Sequence, residues 1–498
     1  MPRTTCLIFM AGLLATLWGC QGQDSDFQVN PDSGTSDTDT DSDSDTDSDS
    51  DSDADPNDND GDWLSNSFED DLGTDPDDED SDDDGANDLI EWLAETDPLD
   101  AEDNPWSNGE LWFLAPFDAA PDPLIGTLSV PSDIRHADLF FLMDTTGSMG
   151  GAITNLKNDL SSVIIPGVEE MIADPWFAVG GFDDYPVSPY GSPSYDQIFY
   201  LLQRTTPSAT DAQTAVNSLT THSGADMPEG QVPALWATAT GEGLGTYLEA
   251  QDECEPTEMG YPCFRPGALP IVVLITDATF HNTFDDANEY ASIDPVPPTW
   301  AEAVTELNAI HAKVLSAWVE TTWASDVEVM CQQMAWDTGA VTAEDDPVTV
   351  PVETGGVGLG DDVITAIETL TTSVPYTRIE GIGRDDAADD LDAIEAFLNR
   401  IEPNTEGGVE DPLNPGIFCS GMLGTVDDND DDVPDAFISV LPGTPVCFEV
   451  VPRANDSVPA DDDPQVFGAF VDELADGFTV LETRSIFFVV PPSVPVSE

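Results

Sequence analysis

Basic residues are nearly absent from this sequence. Eleven Lys+Arg stand against 101 Asp+Glu in 498 residues, a formal net charge of −90. Nucleic-acid binding needs Lys and Arg to neutralise phosphates, so that class of partner is excluded. Attraction to anionic lipid headgroups is excluded for the same reason. Histidine is scarce as well: His136, His222, His281 and His311 have no H-x-x-x-H or similar zinc spacing. His281 follows Asp277 closely and reads as a loop residue or a supporting neighbour. There is no G-x-S-x-G and no convincing Cys/His pair, so binding rather than turnover is expected. A metal-dependent hydrolase stays as an alternative. Beyond the N-terminus no apolar run is long enough to span a membrane.

The acids are plentiful and widespread. Residues 21–104 hold 34 of them and no Lys or Arg, and 67 lie elsewhere. Such a polyanion attracts divalent cations, which relieve the self-repulsion of a compact state. Solubility in salty surroundings is the plainer reading, and the two are compatible.

The chain starts with Arg3 and the apolar run from Cys6 to Leu17, which has the length of a signal-peptide core. Leu17, Trp18, Gly19 and Cys20 follow, and this stretch resembles a bacterial lipobox. The resemblance implies a signal over 1–19, lipid on Cys20, and a place in the bacterial cell envelope, at the outer membrane or cell surface, with the membrane reached through the lipid anchor only. Trp18 is larger than that position usually carries, and ordinary secretory cleavage is the alternative. Residues 20–55 alternate Ser or Thr with Asp and have almost no apolar side chains. They are expected to be a disordered acidic stalk. In an oxidising compartment Cys254 with Cys263, and Cys419 with Cys447, are plausible disulfides. Cys331 lies on an apolar helical face and reads as a core thiol.

A repeat with a 22-residue period fills 56–104. Its second copy places Asp80, Asp82, Asp84, Gly85, Asp88 and Glu91 in the D-x-D-x-D-G-x5-E pattern of a calcium loop. Alternate carboxylates point inward, Gly permits the tight turn, and the last Glu closes the shell. The first copy offers Asp58, Asp60, Asp62 and Glu69 but has Trp63 where Gly is wanted. Both copies resemble thrombospondin type 3 repeats, which implies Ca2+. An acidic loop from Asp428 to Asp435 lacks both the Gly and the closing Glu, so a solvated turn is an equal reading.

Two short strands are expected within 105–134. From 135 to 375, strands at 137–143, 177–182, 198–202, 270–275 and 313–319 alternate with helices at 152–171, 211–219, 230–240, 300–312, 326–336 and 361–372. That alternation predicts a doubly wound α/β sheet. From 376 to 498, strands at 447–451, 465–471, 478–482 and 485–490, broken by one helix at 386–400, predict an all-β sandwich.

Ligands of an open α/β sheet gather at the carboxyl ends of its strands. Asp144, Thr146 and Ser148 follow the first strand, Asp277 follows the fourth, and Asp226, Pro228 and Glu229 lead into a helix. Together they offer a hard-oxygen set suited to Mg2+, Mn2+ or Ca2+. At these motifs, over about 240 residues, the chain resembles a von Willebrand factor type A domain. Within that superfamily it is most similar to the metal-binding domain of integrin β subunits. The resemblance implies a metal-ion-dependent adhesion site of Asp144, Thr146, Ser148, Glu229 and Asp277. There, a protein or glycan partner would donate a carboxylate or other oxygen. It also implies an adjacent cation held by Asp184, Asp226, the Pro228 carbonyl and Glu229, although Gly224 replaces an Asn ligand of the family. A third family site needs two aspartates where this chain has Gly151 and Ala152, and is expected to be missing. The expected function is metal-dependent adhesion or ligand binding. A calcium-stiffened structural or assembly component of the envelope is the other alternative.

Overall fold

A strand buried on both faces shows alternation in where its side chains go, not in their polarity. In the computed structural model, which describes residues 57–285, 288–321, 324–389 and 391–497, the central strands behave this way. The signal over 1–19, Cys20 and the 20–55 linker lie outside the described residues.

The two repeats come first. Each is an acidic loop entering a short helix, α1 (Asn66–Leu72) and α2 (Asp88–Ala94). Ser65 and Asn87 cap them, each accepting a backbone N–H of the first turn. Leu64, Leu89 and Ile90 form a small apolar cluster with Leu114 and Val489, so the repeats dock on the all-β part. Strands β1 (Leu111–Leu114) and β2 (Gly126–Val130) follow, at the places expected.

The α/β part then runs through β3 (His136–Asp144), α3 (Gly150–Asp159), α4 (Ile165–Met171), β4 (Asp174–Phe182), β5 (Tyr200–Thr206), α5 (Ala209–Ser218), α6 (Gln231–Thr240), β6 (Leu269–Thr276), α7 (Trp300–Ala309), β7 (Lys313–Val319), α8 (Ala324–Asp337), β8 (Thr349–Val352) and α9 (Leu359–Ser373). The sheet order is β5-β4-β3-β6-β7-β8. All neighbours are parallel except β5, which runs antiparallel to β4. On β3, Leu139, Phe141 and Met143 pack into one core with α3, α4, α5 and α9. Phe140 and Leu142 pack into the other with α6, α7 and α8. This is the expected doubly wound architecture.

Three details differ from expectation. The single helix expected over 152–171 is interrupted by a π-turn at Leu160–Ile164. Strand β5 starts and ends later than 198–202, because Ile198 and Phe199 are buried against the sheet before pairing begins. Strand β8 was not expected. It is short and half exposed, so its sequence carries little apolar signal.

The last part contains β9 (Tyr376–Asp385), α10 (Ala393–Phe397), β10 (Leu398–Pro403), β11 (Thr425–Val426), β12 (Ala436–Val440), β13 (Val446–Pro452), β14 (Gln465–Ala475) and β15 (Thr479–Val490). The helix expected over 386–400 shrinks to α10, because Leu398–Pro403 pairs with β13 instead. The strands expected at 478–482 and 485–490 are one strand, β15. One sheet has the order β1-β15-β14-β9-β12-β11 and the other β10-β13-β2. Phe113, Leu128, Val450, Val471 and Phe488 from both sheets share a core with Phe397 of α10. Strand β1 pairs with β15 and β2 with β13, so both strands that precede the α/β part pair with strands that follow it.

Both expected disulfides, Cys254–Cys263 and Cys419–Cys447, are formed. Cys331 is a buried free thiol, and burial pushes it up to about 12. No helix among the described residues is long and apolar enough to cross a membrane.

Candidate metal centre

Strand order reverses between β3 and β6: the chain goes from β3 outward to β4 on one side, while β6 lies on the other. A crevice opens at such a point beyond the carboxyl ends of the strands. Asp144 ends β3, and Asp277 follows Thr276 at the end of β6. Glu229 sits just before α6.

Backbone hydrogen bonds lock these loops together. The Glu229 N–H donates to the Thr279 carbonyl (2.8 Å), and the His281 N–H donates to the Glu229 carbonyl (2.9 Å). The Gly230 N–H donates to Asp183 (2.9 Å) and the His222 N–H to Thr145 (2.7 Å). Thr146, Ser148, Glu229 and Asp277 line one open cleft of about 300 Å³, with Gly224 and Asp226 on its wall.

Asp144 is fully buried and does not itself line the cleft: the Thr146 hydroxyl donates to Asp144 Oδ1 (2.7 Å), and the Thr276 hydroxyl donates to Asp144 Oδ2 (2.7 Å). The Ser148 hydroxyl donates to Asp277 Oδ1 (2.9 Å). Glu229 Oε2 is buried with no hydrogen-bond partner. Desolvation, then repulsion from Asp144 and Asp184, pushes Glu229 up to about 11. Desolvation and Asp277 push Asp144 up to about 7. Buried carboxylates without a counter-charge favour neutrality or a cation.

Asp144, Glu229 and Asp277 are not among the acidic trios whose oxygens approach within 4.8 Å of one another. A small divalent ion does not need that. Mg2+ is bound through one or two carboxylates and keeps several waters, and hydroxyls fill further positions. The donor chemistry therefore fits a hard divalent ion.

Next to it, Asp184, Asp226 and His281 do form such a trio. His281 Nε2 lies 3.2 Å from Asp184 Oδ2 and 3.5 Å from Asp226 Oδ2, and Nδ1 lies 2.7 Å from Glu289 Oε2. Burial pulls His281 down, but Asp184, Glu289 and Asp226 outweigh it and leave it above the usual imidazole range. The motifs point to both aspartates; the sequence marks His281 only as a loop or supporting residue and does not single out Glu289. The one signal for His281 was its place four residues after Asp277.

At the third family position, a Cβ on Gly151 would come within 2.4 Å of the Gly355 carbonyl, so small residues there let the 353–358 loop pack directly on α3.

The repeat loops are alike. In both, loop positions four and six have positive φ: Gly61 and Trp63 in the first, Asp83 and Gly85 in the second. Trp63 thus takes the conformation that Gly takes in the second copy. The Trp63 N–H donates to Asp58 Oδ2 (3.2 Å) as the Gly85 N–H does to Asp80 Oδ2 (2.7 Å). Asp58, Asp60 and Asp62 form one trio, Asp80, Asp82 and Asp84 another, and Asp62, Glu69 and Asp88 a third that joins the copies. Both Glu69 oxygens are buried without partners. Desolvation, then neighbouring acids, pushes Asp62 and Glu91 up to about 8 and Glu69 to about 7. In the Asp428–Asp435 loop, the Asp427 carboxylate accepts N–H groups from Asn429, Asp431 and Asp432, closing the turn on itself.

No family model and no curated protein matches the chain. Among solved structures it is similar to a von Willebrand factor type A protein from Catenulispora acidiphila, at 12% identity and a TM-score of 0.30, over 78% of this chain and 72% of that one. It is also similar to proximal thread matrix protein 1 from the mussel byssus, at 11% identity and a TM-score of 0.30, over 52% of this chain and 51% of that one. The chain thus spans about half the length of the latter. Overlap at this level adds nothing to strand order and site geometry.

Proposed function

We propose that this chain is an exported, lipid-anchored surface protein that binds an outside ligand through a divalent ion held by Asp144, Thr146, Ser148, Glu229 and Asp277. The carrying observation is the convergence of three loops on one cleft, with Ser148 hydrogen-bonded to Asp277 and Thr146 to Asp144. A bound Mg2+, Mn2+ or Ca2+ would supply a coordination position for a partner's carboxylate or other oxygen. Thr146 and Ser148 orient the carboxylates, and Glu229 offers a buried oxygen without a competing donor. The Asp- and Glu-rich surroundings repel an acidic partner until the ion is in place. No catalytic role is assigned.

In the same reading, the repeats bind Ca2+ and stiffen the approach to the domain, and 376–498 with β1 and β2 is a β-sandwich into which the α/β domain is inserted. Helix α9 leads directly into β9, so a shift of α9 would couple the site to the sandwich. A purely structural, calcium-stiffened role is the second reading, favoured by the unpartnered oxygens of Glu69 and Asp82.

Pull-down from a cell-surface extract separates the two. The binding reading expects a partner retained by wild type in Mg2+ and lost with chelator or with Asp144→Ala. Equal retention in all three conditions would leave only the structural role.

A further inference from the structure

We propose that Asp184, Asp226 and His281 form a binding site for a borderline transition-metal ion of the Zn2+ class, separate from the hard-ion site beside it. The family resemblance gives this place to a hard cation among oxygens alone. In this chain a ring nitrogen enters the set, and imidazole suits Zn2+ and its neighbours rather than Ca2+ or Mg2+.

The geometry is that of ligands around a shared point rather than of donor and acceptor. His281 Nε2 is within ion-pair range of Asp184 Oδ2 (3.2 Å) and Asp226 Oδ2 (3.5 Å), yet it makes an aligned hydrogen bond to neither. Atoms about 2.1 Å from a common ion stand roughly 3.0 to 3.4 Å apart along the edges of an octahedron or tetrahedron. His281 is 4% exposed and Asp184 fully buried, so water does not compensate them. Asp184 Oδ1 is already used, accepting from the Tyr290 hydroxyl and the Tyr185 N–H at 2.5 Å each. That leaves Oδ2 facing the imidazole.

The outer ring nitrogen is provided for as well. Nδ1 meets the Glu289 carboxylate at 2.7 Å, the arrangement by which a second carboxylate fixes a metal-binding imidazole in orientation and tautomer. Tyr190 and Tyr290 pack edge-on and tilted against the ring. Gly224 also fits this picture. Glycine has no side chain to offer, so the ligand that the resemblance implies from that side is missing, and His281 would supply one from the opposite loop. Among the described residues the cysteines offer no competing soft site: four are paired in disulfides, and Cys331 is fully buried in the core.

The proposal stands apart from the adhesive reading, because it needs neither an outside ligand nor an ion at Asp144. The test uses the full chain, stripped with chelator and then kept in excess Mg2+ and Ca2+ to fill the oxygen sites. Zn2+ is titrated by calorimetry, and Co2+ replaces it for a visible spectrum. One tight equivalent is expected in wild type and in Asp144→Ala. Affinity should fall at least tenfold in His281→Gln and in Asp226→Asn, with the Co2+ band lost. Absence of a tight equivalent in wild type, or titrations unchanged by both substitutions, would overturn the site and leave an ordinary histidine–carboxylate ion pair. Asp226 is partly exposed, so Asp226→Asn decides the matter if His281→Gln fails to fold.

Discussion

The two ends of the α/β sheet handle buried negative charge in opposite ways. At the amino ends of β3 and β4, Arg265 donates from Nε to Asp138 Oδ1 (2.8 Å) and from Nη1 to Asp174 Oδ2 (2.6 Å), and stacks on Trp176. At the carboxyl ends, Asp144, Asp184, Glu229 and Asp277 have no Lys or Arg among the ion pairs of the described residues; only His281 approaches, at Asp184, while His222 pairs with the neighbouring Asp183. A chain with eleven basic residues places one of them where the sheet needs a permanent lock. It leaves the opposite end uncompensated. The first arrangement is structural; on the proposed reading the second would be completed by an ion from outside.

The sharpest way to break this contrast is to remove one partner at each end. Arg265→Ala leaves Asp138 buried and unpaired, so it should cost about 3–5 kcal/mol in urea unfolding, whether or not metal is present. Glu229→Gln should change stability in chelator by less than about 1 kcal/mol, since a carboxyl held up to about 11 is already neutral there and the amide is isosteric. It should, however, reduce the gain in stability that wild type is expected to show on adding Mg2+. Equal losses from both substitutions in chelator would mean that the two ends do not differ.

This contrast was only half visible in the sequence. Most of the apolar strands of the α/β part, the acidic motifs after β3 and β6, and the second acidic repeat loop could be read, because each depends on local period or fixed spacing. Strand Lys313–Val319 appears with the bounds expected for it. Partnerships across long separations could not be read. Nothing local says that Arg265 meets Asp138, that His281 reaches Asp184, or that Leu398–Pro403 leaves its helix to pair with β13. In each case a tertiary partner chose among local options that were nearly equal. Trp63 shows the same limit in another form: a residue judged wrong for its loop position adopts the required φ of 70°, because the surrounding loop fixes it.

Acidity provides a smaller but directional test. Asp62 and Glu91, raised to about 8, and Glu69 and Asp144, raised to about 7, bind protons more tightly folded than unfolded. Where the native state holds more protons, stability falls as pH rises. In chelator their contribution is fully present below about pH 4 and is lost as pH climbs through about 7 to 8. Asp174 runs the other way. Burial raises it, but Arg265 and His136 outweigh that and hold it low, so its contribution is lost only on strong acidification. The chelated protein should therefore melt at higher temperature at pH 5.5 than at pH 8.5. Saturating Mg2+ and Ca2+ should flatten or reverse that slope, because an ion competes with protons for the same oxygens. A chelated protein whose melting temperature rises with pH would show that those carboxylates are already compensated internally.

The smallest expected effect comes from restoring one atom set at the uncompensated end. Gly224 has a φ of 65°, a left-handed conformation that Asn adopts more readily than other residues with a side chain. Its nearest neighbour for a Cβ is the tip of the Glu229 side chain at 3.0 Å, which can move, rather than backbone. Gly224→Asn should thus cost no more than about 1 kcal/mol in stability. The new amide oxygen would join a site that now holds His281, Asp184 and Asp226, and harder ligands favour harder ions. Competition between Ca2+ and Zn2+ on the stripped protein should move towards Ca2+ by a few-fold. A loss of several kcal/mol instead would mean that glycine is required there for close packing of the 224 loop on Thr146, and that the histidine on the opposite loop is no substitute for a missing ligand.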